Sequence, residues 1–78
     1  MQDTWLFEDT IEKNISYGKS DAQKYEVIEA AKSANVHHTI RTLSHGYDTI
    51  VNEEGTNVSQ GEKQLLTIAR AILKDPQV

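Results

Sequence analysis

The strongest constraint in this chain is one helix near its C-terminal end, carrying its own start signal. Leu65, Ile68, Ala69 and Ile72 recur at i, i+3, i+4 and i+7, the spacing of one α-helical face. Leu66 and Leu73 widen that stripe, so the helix is expected to be covered on more than one side. Ser59 is placed to cap it, because its hydroxyl can accept from a free backbone N–H one turn on. Glu62, three residues later, completes the capping-box spacing. Lys74 suits the C-terminal end, and Pro76 stops further winding. A helix start is also an anion site, since its first N–H groups are unsatisfied and the macrodipole is positive there. Gly61 in the first turn lets an oxygen-rich ligand approach the backbone closely. On local physics, simple capping and anion binding are both open readings of Ser59 and Gly61.

Seventy-eight residues allow one small domain, with a core near the lower limit for independent folding. The net charge is −4 and Lys and Arg form no run, which argues against a nucleic-acid partner held on a basic face. No cysteine is present, so disulfides and thiolate metal sites are excluded. The longest apolar runs, Trp5-Leu6-Phe7 and Ala71-Ile72-Leu73, fall far short of the ~20 residues that span a bilayer. No signal-peptide pattern is present, and the chain itself is expected to be soluble.

The rest of the chain reads as short helices. Trp5-Leu6-Phe7 fits a loop or an edge strand. Asp9 or Thr10 can cap a helix holding Ile11 and Ile15, which Tyr17-Gly18 ends. Ser20 to Gln23 gives a second capping spacing, with Asp21 favouring a helix start. Val27, Ile28, Ala30, Ala31 and Ala34 then mark one apolar face. Asn35 is expected to end that helix and cap a third one, where Val36, Ile40 and Leu43 recur at i, i+4 and i+7. His37 and His38 are sequence neighbours and share no helix face. With His45 they could suggest a metal, but no carboxylate stands at ligand spacing, so solvated helix positions are the better reading and no metal is expected. Gly46 to Thr49 reads as a turn, and Thr49 to Gly55 as a short extended piece and a loop. The expected fold is mainly α, about four helices with a short extended segment.

Val58-Ser59-Gln60-Gly61-Glu62 resembles the signature motif of ABC-type ATPases, usually Leu-Ser-Gly-Gly-Gln. Lys63 through Pro76 continues as those ATPases do. Gln60, Glu62 and Val58 depart from the pattern, while Ser59 and Gly61 keep the two positions that the family aims at phosphate. The resemblance implies that Ser59, Gln60, Gly61 and Glu62 meet ATP held by an opposite subunit, with Glu62 placing a negative charge beside that site. Gln2-Asp3-Thr4-Trp5-Leu6-Phe7 is similar to the family's Q-loop, and Thr10 to Gly18 matches the helix that follows it. By that likeness Gln2 senses the metal and attacking water, and Trp5, Leu6 and Phe7 receive a coupling helix of a transmembrane domain. Thr49 to Gly55 resembles the x-loop of ABC exporters. Glu53 falls on the family's glutamate there and Glu54 on its usual arginine; both are expected to meet a basic partner segment.

The likeness covers residues 1–78 and implies the helical signature subdomain of an exporter-type nucleotide-binding domain, excised from a larger α/β P-loop ATPase. No stretch matches G-x-x-x-x-G-K-[ST], and the strand bearing the metal-binding Asp and catalytic Glu is not here. The chain alone is therefore expected to turn over no ATP and to bind nucleotide no tighter than roughly millimolar. ATP and Mg are the implied cofactors of the assembled parent. The implied partners are a second nucleotide-binding domain, head to tail, and transmembrane coupling helices at the cytoplasmic face of a membrane. The chromosome-maintenance and DNA-repair branch also carries Ser-Gly-Gly-Glu signatures, but inserts long coiled coils, and no sustained heptad repeat is visible. A free-standing helical interaction module is the third reading. An excised domain should leave Trp5-Leu6-Phe7 and the wide stripe of the last helix partly uncovered.

Overall fold

The computed structural model describes residues 5–52 and 58–74. Four α-helices, α1 (Ile11–Ser16), α2 (Lys24–Ser33), α3 (His37–Arg41) and α4 (Gln60–Lys74), are joined by turns and a 3-10 turn at Gly46–Asp48. The mainly α expectation is met, and the described residues contain no strand. The extended piece contributes one isolated antiparallel bridge, Thr10 with Ile50. Ile11 N–H donates to Thr49 O and Val51 N–H to Asp9 O, each at 2.9 Å.

Of the two candidate caps for α1, Thr10 takes the role, its Oγ1 accepting from Lys13 N–H at 3.0 Å. Asp9 instead accepts from Thr10 N–H at 2.7 Å. The helix ends where Gly18 turns left-handed, at φ +91°. The start of α2 lies three residues later than the Ser20–Gln23 spacing suggests: Gln23 is its N-cap. The reason is Glu26, whose Oε1 reaches back to Gln23 N–H at 2.7 Å while Oε2 pairs with Lys19 Nζ at 3.0 Å. Ser20 and Asp21 are left exposed in the preceding turn.

Asn35 does end α2, at φ +63°. Its N–H bonds Lys32 O and Val36 N–H bonds Ala31 O, the paired bonds of a left-handed helix stop. That geometry leaves Val36, not Asn35, in the N-cap position of α3, with no side-chain cap. Val36 is buried instead, together with Ile40.

One apolar cluster holds the fold together. Ile11 and Ile15 of α1, Val27, Ala30 and Ala31 of α2, and Leu66 and Ala69 of α4 meet in it. Ala34, Val36, Ile40, Tyr47, Val51 and Val58 extend it under the loops. The buried side of α4 is Leu66, Thr67, Ala69 and Arg70, so Ala69 of the expected Leu65–Ile68–Ala69–Ile72 row and Leu66 of its widening are at the centre of the stripe. Leu65, Ile72 and Leu73 lie at its margin, and Ile68 is 41% exposed. Trp5 is 47% exposed, so the expected uncovered surface is present at both places.

Candidate functional site

The first turn of α4 forms a closed reciprocal cap. Glu62 N–H donates to Ser59 Oγ and Ser59 N–H donates to Glu62 Oε1, both at 3.1 Å. Lys63 N–H continues the ladder to Ser59 O at 2.9 Å. The N–H groups of Gln60 and Gly61 precede the first carbonyls that could receive them within the helix. Ser59, Gln60 and Gly61 are exposed, and Glu62 is half-buried. A Cβ built on Gly61 would meet no atom within 4 Å, so the space over the turn is open.

This arrangement decides what the turn can offer. A serine hydroxyl has one proton and two lone pairs. Ser59 Oγ accepts from Glu62, which uses one lone pair and leaves the exposed hydroxyl able to donate its proton elsewhere. Ser59 O–H and the amides of Gln60 and Gly61 are thus three donors on the positive end of a helix. Against them stands the Glu62 carboxylate, bonded to Ser59 N–H and opposing any second negative charge.

Of the other predicted site residues, Trp5, Leu6 and Phe7 lie at a second place. Trp5 and Phe7 ring centroids are 5.5 Å apart, and each lies within about 5.3 Å of Tyr17, edge-on. Beneath them sits the Arg70 guanidinium, 5.1 Å from the Trp5 ring and 5.4 Å from Tyr17. Leu6 is half-buried and packs toward the core. Gln2, Glu53 and Glu54 lie outside the described residues.

Two residues of this second place were not singled out from the sequence. Arg70 is only 2% exposed, its Nε donating to Asn14 O at 2.9 Å and its Nη2 to Asn14 Oδ1 at 3.4 Å. Asn14 is fully buried. Its Nδ2 donates to Phe7 O and Thr10 O at 3.0 Å, and its Oδ1 accepts from Phe7 N–H at 3.0 Å. A signal was present: Asn14 and Arg70 are polar residues at i+3 from Ile11 and i+4 from Leu66, on the faces those residues bury.

The histidines divide. His38 is exposed, as a solvated helix position should be, but His37 is half-buried with Nδ1 2.6 Å from the Tyr47 hydroxyl. Burial pushes Tyr47 up to about 12. Desolvation, then Lys32 and Arg41, hold His37 below its ordinary value. Among the described residues no three His, Asp or Glu side chains are grouped to hold a metal ion, and no helix is long and apolar enough to cross a membrane.

Comparison with known proteins gives consistent matches. The family described as ABC transporter matches residues 1–78. The ABC transporter ATP-binding protein YfiC of Bacillus subtilis is 53% identical over 76 residues, 97% of this chain and 13% of that protein. Heavy metal tolerance factor 1 of Caenorhabditis elegans is 57% identical over 76 residues, 97% of this chain and 10% of its own length. A solved bacterial Atm1-family ABC exporter with ATP bound superposes with a TM-score of 0.87 at 49% identity, covering 96% of this chain and 13% of that one. The chain thus spans about an eighth of the length of such relatives. With a family match over every residue and about half of its residues shared with a bacterial ABC transporter ATP-binding protein, the chain belongs to the ABC transporter family.

Proposed function

We propose that residues 1–78 serve as the helical signature subdomain of an exporter's nucleotide-binding domain. In this reading the first turn of α4 closes over ATP held by an opposite subunit, head to tail. The supporting observation is the exposed Ser59 hydroxyl, free to donate, beside the open space over Gly61. Those donors fit a phosphate oxygen. Ser59 O–H and the Gln60 and Gly61 amides would bind and orient it, while Glu62 keeps Ser59 in place without touching phosphate itself. Phosphoryl transfer rests largely on positioning and charge stabilisation, and this chain supplies one wall of such a site. In the assembled parent, ATP would bring Mg, and Gln2, by its place in the Q-loop, would be the residue of this chain that senses the metal and attacking water.

The energetics agree with a shared site. A helix N-terminus is worth up to ~2 kcal/mol to an anion, whereas millimolar affinity needs about 4.1 kcal/mol. The chain alone is therefore proposed to hydrolyse no ATP. Trp5, Leu6 and Phe7, with Glu53 and Glu54, are proposed to receive transmembrane coupling helices at the cytoplasmic face of a membrane. Half-exposed Trp5 and Tyr17 in one aromatic face support that part.

The test is a graft. Residues 1–78 replace the matching segment of the bacterial Atm1-family exporter, and ATP hydrolysis is measured with and without Ser59→Ala. One hydrogen bond to a charged oxygen is worth about 1.5–3 kcal/mol, so the substitution should slow hydrolysis by roughly tenfold to a hundredfold. An unchanged rate would overturn the assignment. So would robust Mg-dependent hydrolysis by the pure 78-residue chain.

A further inference from the structure

We infer that Arg70 is a positioning residue joining the aromatic face of residues 5–17 to the helix that carries Ser59. A displacement of Trp5 or Tyr17 is thereby delivered to the first turn of α4. This deepens the function proposed above and rests on its reading that a partner segment docks on that face.

One guanidinium meets two rings of the face directly and the third through Asn14. It lies over the Trp5 and Tyr17 rings and bonds Asn14 through Nε and Nη2. Asn14 in turn holds Phe7 on both sides, accepting from its N–H and donating to its carbonyl. Phe7 cannot move without moving the Asn14 amide, and that amide is a partner of Arg70. From Arg70 to Ser59 the path is a continuous helix of about three turns, roughly 16 Å at 1.5 Å per residue. A hydrogen-bonded helix moves over such a length as a rod, so tilting its Arg70 end also swings its first turn.

Stability alone is a poor reason for this residue. Burying a guanidinium carries a large desolvation cost, and apolar residues of similar volume often serve a core as well or better. The planar fork instead holds two kinds of contact at once, hydrogen bonds to Asn14 and cation–π contacts with the rings, which a lysine point charge does not reproduce. Arg70 is 2% exposed on the same side of α4 as Leu66 and Ala69, where an apolar side chain would simply have filled the space.

Amide resonances of the isotope-labelled 78-residue chain test this, with Arg70→Lys, Trp5→Leu and Tyr17→Leu compared with the parent. Arg70→Lys changes no aromatic ring, and Trp5 and Tyr17 are exposed enough for their variants to fold. Well-dispersed spectra confirm folding. Each variant should shift the Gln60 and Gly61 amides more than those of Thr39 and Ile40 in α3, and in a common direction. Trp5→Leu made on top of Arg70→Lys should add nothing further at Gly61, because the two act in one path. If Arg70→Lys does not fold, the Trp5 and Tyr17 variants carry the test. Stationary Gly61 resonances in folded variants, or a Trp5→Leu shift undiminished by Arg70→Lys, would overturn the inference. These readouts need neither nucleotide nor membrane partner. Their failure removes the relay and leaves the proposed function standing, whereas an unaffected Ser59→Ala graft removes that function and leaves the relay.

Discussion

Asn14→Ala should cost this chain far more than its size suggests. The side chain makes three bonds at 3.0 Å, from Phe7 N–H and to the Phe7 and Thr10 carbonyls, and two longer ones at 3.4 Å, to Asp9 O and from Arg70. At about 1 kcal/mol for each short neutral bond and somewhat more for the charged one, the loss is about 3–5 kcal/mol. A domain of this length has a total stability of only about 4–12 kcal/mol, so one substitution removes a large share of it. Urea unfolding followed by Trp5 fluorescence and by far-ultraviolet dichroism reads the effect. Trp5 is the single tryptophan and lies against the same network. With a slope near 1 kcal/mol per molar, the midpoint should fall by roughly 3 M, or the variant should be unfolded in buffer. Ile15→Val, which trims one methylene from an equally buried site, should cost only about 1 kcal/mol. Equal losses from the two variants would show that the polar network contributes no more than a methylene, and the reasoning would fail.

Gly61→Ala should raise the thermal midpoint of the chain, since the new Cβ meets nothing and glycine weakens a helix by about 0.5–1 kcal/mol; a lowered midpoint would contradict the open geometry. In the grafted exporter the same change should slow ATP hydrolysis. Asn35→Ala should lower the thermal midpoint, because both residues carry a Cβ but the asparagine amide can hydrogen-bond locally in the left-handed region and alanine cannot, while Asn35→Gly, which removes the Cβ, should leave it unchanged or raised. His37 gives a pH dependence. Its folded pKa is depressed, first by burial and then by Lys32 and Arg41, so the neutral ring is favoured in the fold. Its contribution is complete above its unfolded value of about 6.5 and is lost as pH falls from there through the depressed folded value. The parent should therefore lose more thermal stability on acidification than His37→Phe does, and parallel losses would remove His37 as the cause.

What could be read from the residues follows the range of the forces involved. The start of α4 was legible because Ser59 and Glu62 are three residues apart and need only each other. Thr10 as cap of α1 was legible for the same reason. The start of α2 was displaced because two overlapping caps competed, and a carboxylate held by Lys19 outweighed a serine in a turn. Asn35 could serve one helix end but not two, and its left-handed conformation settled which. The Asn14–Arg70 contact joins residues 56 positions apart, so no local pattern announces the pairing. Likewise His37 reads as solvated until Tyr47 is folded over it. The residues of the α4 start were visible in advance, but that Ser59 Oγ accepts within the cap while staying exposed follows only from the hydrogen-bond geometry.

The bridge between Thr10 and Ile50 reaches beyond its two backbone bonds. It closes a long loop containing α2 and α3, and the entropy of that closure, about 3 kcal/mol plus a constant for a span of this length, is recovered only when both ends are in place. The strand-like pieces around Asp9 and Val51 therefore open and shut as one cooperative unit. Exchange of the Ile11 and Val51 amide protons with solvent should then follow a single event, so fraying at the front of α1 also releases Ile50 and Val51.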